Sequence, residues 1–388
     1  MAARSFDIVV FGATGFTGEL TAEYLARHAP SGTRWALAGR NPRKLEAVRA
    51  KLMEINPDCA RLELLAADSA DPESLKRVAE AARVVITTVG PYILHGEPLV
   101  AACAAAGTDY VDLTGEPEFV DLMWLRYHEQ AKASGARLVH ACGFDSIPHD
   151  LGAFFTVQQL PADTPLTVEG FVRAGGTFSA GTYHSAINAF GRARLYMKTK
   201  KERQAKEPRP AGRKVGAVKS GVRYLKDLKS WVVPFPTIDP QVVRRSAAAL
   251  DRYGPDFRYG HYVQLKRLAT VAGLIGGTGA LFTLAQFKPT RDWLLSRKSS
   301  GEGPSAEVRA KSWFKVTFHG EGGGKRVVTQ VSGGDPGYGE TSKMLAESAL
   351  CLAFDNVPKR GGQTTPAAAM GNALIERLKK NGIKFEVL

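Results

Sequence analysis

The run Ile8-Val9-Val10-Phe11-Gly12-Ala13-Thr14-Gly15-Phe16-Thr17-Gly18 constrains this chain more than any other. A short apolar strand starts almost at the N-terminus. Three glycines follow at a spacing of three, and then a helical pattern carried by Glu19, Leu20, Tyr24 and Leu25. Strand, glycine turn and helix form the first unit of a doubly wound α/β fold. Gly12 permits the tight turn, Gly15 lets the backbone approach a pyrophosphate, and Gly18 lets helix and strand pack closely. The pyrophosphate then rests on free N–H groups at a helix N-terminus. Gly12, Ala13, Thr14, Gly15, Phe16, Thr17 and Gly18 are therefore the expected cradle of a dinucleotide. The competing reading is a glycine-rich turn in an α/β protein that binds none.

The second strand decides which dinucleotide. Arg34 to Gly39 is followed by Arg40 and Asn41, where an NAD enzyme usually carries Asp or Glu for the ribose 2′-OH. A carboxylate there repels a 2′-phosphate, whereas a guanidinium binds it bidentately. Arg40 thus favours NADPH over NADH, against the plain alternative of a solvated basic start to the next helix. Asp68, at the end of a strand over Leu62 to Ala67, is a weaker candidate for the adenine side. Strands at Val84–Val89, Tyr110–Leu113 and Arg137–Ala141 alternate with helices over about 96–106 and 118–133, which implies a parallel sheet. Ligands lie beyond the carboxyl ends of such strands. Those ends carry Gly12–Gly18, Arg40, Gly90-Pro91-Tyr92, Thr114-Gly115-Glu116 and Cys142–Asp150.

Taken together, these loops resemble the saccharopine dehydrogenase-like oxidoreductases, in particular the trans-acting enoyl reductase branch. The resemblance covers nearly the whole length. It rests on Gly12–Gly18, Gly39-Arg40, Gly90-Pro91-Tyr92, Gly107–Glu116, Cys142–Asp150, Gly176-Thr177, Pro336–Gly339 and Thr365-Pro366-Ala367. True saccharopine-forming reductases carry Asp-Pro-Gly where this chain reads Asp145-Ser146-Ile147-Pro148, which argues against an amino-acid substrate. The resemblance implies a Rossmann doubly wound parallel sheet, a mixed α/β substrate domain, and a C-terminal segment returning to the first domain. The boundaries read as 1–150, 151–335 and 336–388. It also implies NAD(P)H-dependent reduction of a lipid or polyketide acyl chain held by an acyl-carrier or synthase partner. Two other readings compete: a C–N oxidoreductase on an amino acid, which needs a carboxylate-binding arginine such as Arg173 or Arg192, and a lipid-associated Rossmann scaffold with little catalysis.

Hydride addition to an activated C=C needs donors for the enolate oxygen and an acid for the α-carbon. Tyr92 is the first candidate, because Gly90 and Pro91 before it should run beside the nicotinamide. The alternative is a tyrosine packed at the domain seam. His149 follows a strand end and suits proton transfer, or is a helix residue bonded to backbone. Asp145 orients His149, binds the ribose, or caps the helix. Gly143 belongs with the cofactor loops. Tyr196 and Lys200 fit the Tyr-x-x-x-Lys spacing of short-chain dehydrogenases, but they lie beyond the first nucleotide-binding unit and are set aside.

The second half of the chain holds an expected strand at Leu166–Ala174 and a hairpin formed by Trp313–Phe318 and Arg326–Val331 about a Gly320–Gly324 turn. Helices are expected from Gly176-Thr177 to Leu195, over Thr341–Phe354 and over Ala367–Lys380. Residues 192–229 hold fourteen Lys and Arg against three acids, about +11 of the formal +14. Such a field attracts phospholipid headgroups or an acyl-carrier protein, or belongs to a solvated loop. Aromatics are sparse there and no nucleic-acid motif appears. Leu268 to Phe287 runs twenty residues without a charge between Lys266-Arg267 and Lys288. It is a buried or dimer-interface helix, a surface-inserting or hairpin-like apolar element, or a membrane span weakened by four glycines. Four scattered cysteines without a C-x-x-C pattern argue against zinc and a disulfide framework. No signal-peptide pattern follows Arg4. The expected location is the cytoplasm, with the inner face of the plasma membrane as the peripheral variant.

Overall fold

The computed structural model describes residues 4–176, 180–297 and 303–388; Thr177 lies outside them. Strands β1 (Phe6–Phe11), β2 (Trp35–Gly39), β3 (Glu63–Ala66), β4 (Ala82–Thr87), β5 (Asp109–Asp112) and β6 (Arg137–Val139) come from the first part of the chain. The middle of the chain supplies β7 (Leu166–Gly175), β8 (Lys214–Ala217), β9 (Arg223–Leu225), β10 (Ser230–Pro234), β11 (Asp256–Leu265), β12 (Trp313–Gly322) and β13 (Lys325–Gly333). Two short strands, β14 (Gly362–Thr364) and β15 (Lys384–Val387), close it.

The first sheet runs β14-β6-β5-β4-β1-β2-β3, with every pair parallel. This is the doubly wound order with one added edge strand. Its central strands are apolar on both faces because helices cover both. Helices Phe16–His28, Pro42–Ile55 and Gly339–Phe354 pack on one side, and Pro72–Ala81, Glu97–Ala106 and Pro117–Ser134 on the other. The second sheet runs β15-β13-β12-β7-β11-β10-β9, with β8 sharing an edge of β11. It is mixed: β7 pairs β11 in parallel, whereas β12 pairs both β7 and β13 antiparallel.

Three expectations are corrected. The C-terminal segment does not serve the first domain alone. Helix Gly339–Phe354 and β14 complete the first sheet's layers, but β15 pairs β13 in the second sheet. The hairpin turns on Gly323 and Gly324 alone, both at positive φ (57° and 75°), so β12 continues through Gly320 to Gly322. Two consecutive positive-φ residues make the turn that matches strand twist, and glycine pays no steric penalty there. The last helix is two, Pro366–Ala369 and Gly371–Lys380, interrupted where Gly371 takes φ 46°.

The basic stretch is ordered. Helix Ala193–Lys206 and strands β8 and β9 fill it, and several of its arginines are pinned. Arg203 is buried against Asp121 and Glu207, Arg213 donates to the carbonyls of Ala247, Ala248 and Leu250, and Arg223 pairs with Glu169. The segment Leu268–Ala285 is a single helix, and the reading of it as buried core is overturned. Only Val271 and Ala285 are buried along it, because among the described residues no neighbouring element covers its other faces.

Candidate active site

The glycine turn sits at the carboxyl end of β1, and its stereochemistry is demanding. Gly12 has φ 87°, a region that excludes most side chains. A Cβ on Gly18 would lie 2.1 Å from the Gly12 carbonyl oxygen, so the helix approaches the turn as closely as backbone allows. A Cβ on Gly15 meets only that carbonyl, at 3.5 Å, and otherwise faces open space. Gly15 is also the N-cap of helix Phe16–His28 and gives it no side-chain hydrogen bond. The first-turn N–H groups are left for an anion. Ala13 is fully buried under the turn. The Thr88 hydroxyl donates to the Gly12 carbonyl (3.1 Å), tying the end of β4 to the turn.

Arg40 is exposed just after β2, with no hydrogen bond or ion pair among the described residues. Its guanidinium is available to a phosphate. Asn41 is not: its side chain accepts from Lys44 N–H and caps helix Pro42–Ile55. Asp68 accepts from Ala70 N–H in its own turn after β3. Gly143 is a packing position, wedged between Leu113 and Thr341. Phe16 stacks edge-on against Tyr338 at 4.8 Å, and the Arg309 guanidinium lies 5.3 Å from its ring. Tyr338 and Arg309 thus form a rim over the turn, which the sequence reading missed. The Pro336–Tyr338 motif was visible, but not which loop it would meet.

The loops after β4, β5 and β6 converge beside the turn. Glu116 holds the first of them. Its carboxylate accepts from Tyr92 N–H (3.0 Å), Ile93 N–H (2.8 Å) and the Ser185 hydroxyl of the second domain (2.9 Å). Asp112 holds the other two. Fully buried, it accepts from Thr114 N–H, Ala141 N–H and the Tyr110 hydroxyl, and its Oδ2 lies 2.6 Å from His140 Nδ1. Ala141 is kept at φ 61° as part of this arrangement. A non-glycine residue held there marks a loop whose shape is imposed by its surroundings.

Tyr92, first among the sequence candidates for the acid, is corrected to a seam residue. It is 4% exposed, donates its hydroxyl proton to the Thr87 carbonyl (3.0 Å), and lies 5.8 Å ring to ring from Phe119. Burial pushes its hydroxyl well above the usual tyrosine range, the opposite of what an acid needs. Asp145 is different. It is partly exposed after β6, and so close to the end of β5 that a Cβ on Gly115 would fall 2.7 Å from its Oδ2. Burial and the nearby Asp239 carboxylate push it up to about 7, against the pull of His149. Carboxyls with such values concentrate at functional sites.

His149 is 2% exposed and packs inward rather than lining the cleft. Its Nδ1 lies 2.8 Å from Asp239 Oδ1, and Asp239 Oδ2 lies 3.6 Å from Nε2 of His261 on β11. Both nitrogens of His149, Asp239 Oδ1 and His261 Nε2 lack a well-aligned hydrogen bond among the described residues. Burial holds Asp239 up, but His149 and a hydrogen bond from the Thr237 hydroxyl outweigh it and keep the carboxylate below its usual range. Burial drives His261 down to about 3, so it is neutral at pH 7. Sequence reasoning missed Asp239 and His261. A lone Asp before Pro240 and a histidine in a strand carry no spacing signal.

The Tyr196–Lys200 pair is not a short-chain dehydrogenase site. Lys200 Nζ sits 5.7 Å over the Tyr196 ring, the hydroxyl meets Gln241, and burial raises that hydroxyl's pKa. Arg192 is engaged by both oxygens of Glu118 (2.9 and 2.7 Å), and Arg173 stacks on Trp313.

This fold and cleft define an NAD(P)-dependent oxidoreductase. The Saccharopine dehydrogenase NADP binding domain family matches residues 8–139, and NADPH is the cofactor. A candidate trans-acting enoyl reductase of Mycobacterium tuberculosis is 40% identical across 99% of this chain and 97% of its own length. The trans-acting enoyl reductase of Mycobacterium ulcerans is 37% identical over 98% and 97%. The saccharopine dehydrogenase-like oxidoreductase of Bos taurus is 33% identical over 99% and 98%. The chain belongs to the saccharopine dehydrogenase-like oxidoreductase family. Saccharopine dehydrogenase (L-Glu forming) from Saccharomyces cerevisiae shares its fold at a TM-score of 0.55 and 11% identity, covering 99% of this chain and 100% of the yeast chain.

Proposed function

We propose that the chain is an NADPH-dependent enoyl reductase acting on a lipid or polyketide acyl intermediate. The observation that carries this reading is the position of the Asp145 carboxyl, half-buried where the β5 and β6 loops meet at the carboxyl edge of the sheet; burial and the Asp239 carboxylate push it up to about 7. NADPH supplies a hydride to the β-carbon of the activated C=C. The electron pair of the double bond moves toward the carbonyl oxygen to give an enolate; as the C=O re-forms, that pair returns to the α-carbon and takes the proton of Asp145, which is left as the carboxylate. His149 and Asp239 act behind Asp145. Burial, with the Asp239 charge, keeps its proton on near neutral pH against the pull of His149, and bulk solvent restores that proton after turnover. Gly12–Gly18 hold the pyrophosphate and Arg40 the 2′-phosphate. Glu116 fixes the Tyr92 loop between the domains.

The relatives named as trans-acting enoyl reductases support the reaction type. Engagement of Arg192 by Glu118 disfavours the amino-acid alternative, because that guanidinium is already paired. NADPH oxidation followed at 340 nm (the usual reporter wavelength) with α,β-unsaturated acyl thioesters tests the proposal. Turnover that falls at least about a hundredfold in Asp145→Asn supports it, a loss typical of a missing general acid. Tight NADPH binding without turnover on any enoyl acceptor would favour the scaffold reading instead.

A further inference from the structure

Helix Leu268–Ala285 is apolar on every face, yet little of it is covered. Such a helix is normally buried on every face. Leu268, Ile275, Phe282 and Leu284 stand exposed, and Phe287 just beyond is 63% exposed. Added Cβ atoms on Gly273, Gly276, Gly277 and Gly279 would meet nothing within 4 Å. The helix is apolar and long enough to cross a membrane.

Its two ends are fixed to one body, however. At the N-terminal end Leu265 is paired with Trp231 in the second sheet, and Val271 is buried. At the other end Ala285 packs with Ile187 and Leu294, and the Gln286 side chain donates to the Phe190 carbonyl (2.9 Å). A helix crossing a bilayer would leave its ends on opposite sides. This one returns both ends to the same folded domain, so it fits an element lying in a single leaflet.

Charge selects the occupant. From Lys266 to Arg297 the flanks carry Lys266, Arg267, Lys288, Arg291 and Arg297 against one acid, Asp292, which pairs with Lys288. A second copy of the chain is a poor partner. Paired parallel or antiparallel, two such helices bring a cationic end against a cationic end. An anionic lipid surface satisfies both features, taking the apolar faces into its acyl region and the cationic ends at its headgroups. Trp293, half exposed next to the helix, suits the headgroup layer. We infer that Leu268–Phe287 is a monotopic membrane-docking element that seats the protein on an anionic bilayer.

The full chain is tested by flotation with vesicles of neutral phosphatidylcholine and of phosphatidylcholine containing 30% phosphatidylglycerol (about the anionic share of a charged leaflet). The expected result is partition to the anionic vesicles, with a blue shift of tryptophan emission. Ile275→Asp with Phe282→Asp should cut partition at least about tenfold, since charge is costly in an apolar layer. Lys266→Glu, Arg267→Glu and Lys288→Glu together should abolish the preference for anionic lipid. All five positions are exposed, so NADPH binding and thermal unfolding should stay as in the parent and report intact folding. Absence of vesicle binding at low salt would overturn the inference. So would a parent protein that is dimeric in solution and becomes monomeric in Ile275→Asp.

Discussion

Gly15→Ala separates folding of the glycine turn from its function. Gly15 has φ −85° and ψ 158°, extended backbone that alanine adopts without strain. The new methyl group would touch only the Gly12 carbonyl oxygen, at the ordinary contact distance of 3.5 Å. The apoprotein should therefore keep its stability, or gain up to about 1 kcal/mol from a less flexible unfolded chain. Cofactor binding should suffer, because the methyl group projects from the face of the turn that a pyrophosphate must approach. Loss of two charge-assisted hydrogen bonds, each worth about 1.5–3 kcal/mol, amounts to roughly 3–6 kcal/mol. That corresponds to a weakening of about two to four decades in Kd. Calorimetric titration with NADPH, paired with thermal unfolding of the apoproteins, reads both quantities. A variant that binds NADPH within about fivefold of the parent, on the logarithmic scale of affinity, would refute this account of the turn. Gly18→Ala is the contrasting case: its methyl group would sit 2.1 Å from the same carbonyl, so unfolding should drop together with binding.

Arg40→Ala should weaken NADPH by about tenfold to a hundredfold, the value of a charged hydrogen-bonded contact, and leave NADH nearly unchanged; equal losses for both cofactors would remove Arg40 from the 2′-phosphate. In the parent, kcat/KM should be flat below pH 7 and fall tenfold per unit above it. Asp145, with a value of about 7, is protonated and able to donate below that value and ionised above it. Asp145→Asn should abolish this limb along with most of the activity, whereas a limb that persists assigns the titration elsewhere. Tyr92→Phe removes two buried hydrogen bonds, one to the Thr87 carbonyl and one from Leu113 N–H, and should cost about 1–3 kcal/mol of stability, while reducing kcat by less than about tenfold if proton donation lies elsewhere. A loss of several decades with unaltered folding would restore Tyr92 as the acid.

The parallel sheet was legible because its signals are local. Apolar runs end in glycine turns, and helices of regular pitch separate them, so β1 through β6 fall within a few residues of their expected bounds. The same logic located the carboxyl-edge loops, one of which carries Asp145. What stayed hidden depends on contacts between distant segments. Asp239 joins His149 only because β11 and the helix at Asp239–Ala249 fold against helix Ile147–Val157, which carries His149. Tyr92 illustrates the reverse: its position in the motif suggested chemistry, but the bond to Thr87 turns its hydroxyl into the seam. The Leu268–Ala285 segment read as apolar, with a hairpin-like element open beside the helical readings; it is a helix, yet periodicity cannot say whether neighbours cover it.

The most direct test is a single turnover with NADPH deuterated on the transferring face and an α,β-unsaturated acyl thioester, followed by mass analysis of the product. One deuterium at the β-carbon, with a solvent-derived proton at the α-carbon, is the result expected from Asp145 and the glycine turn acting together. Oxidation of NADPH that leaves the acyl chain unlabelled would contradict it.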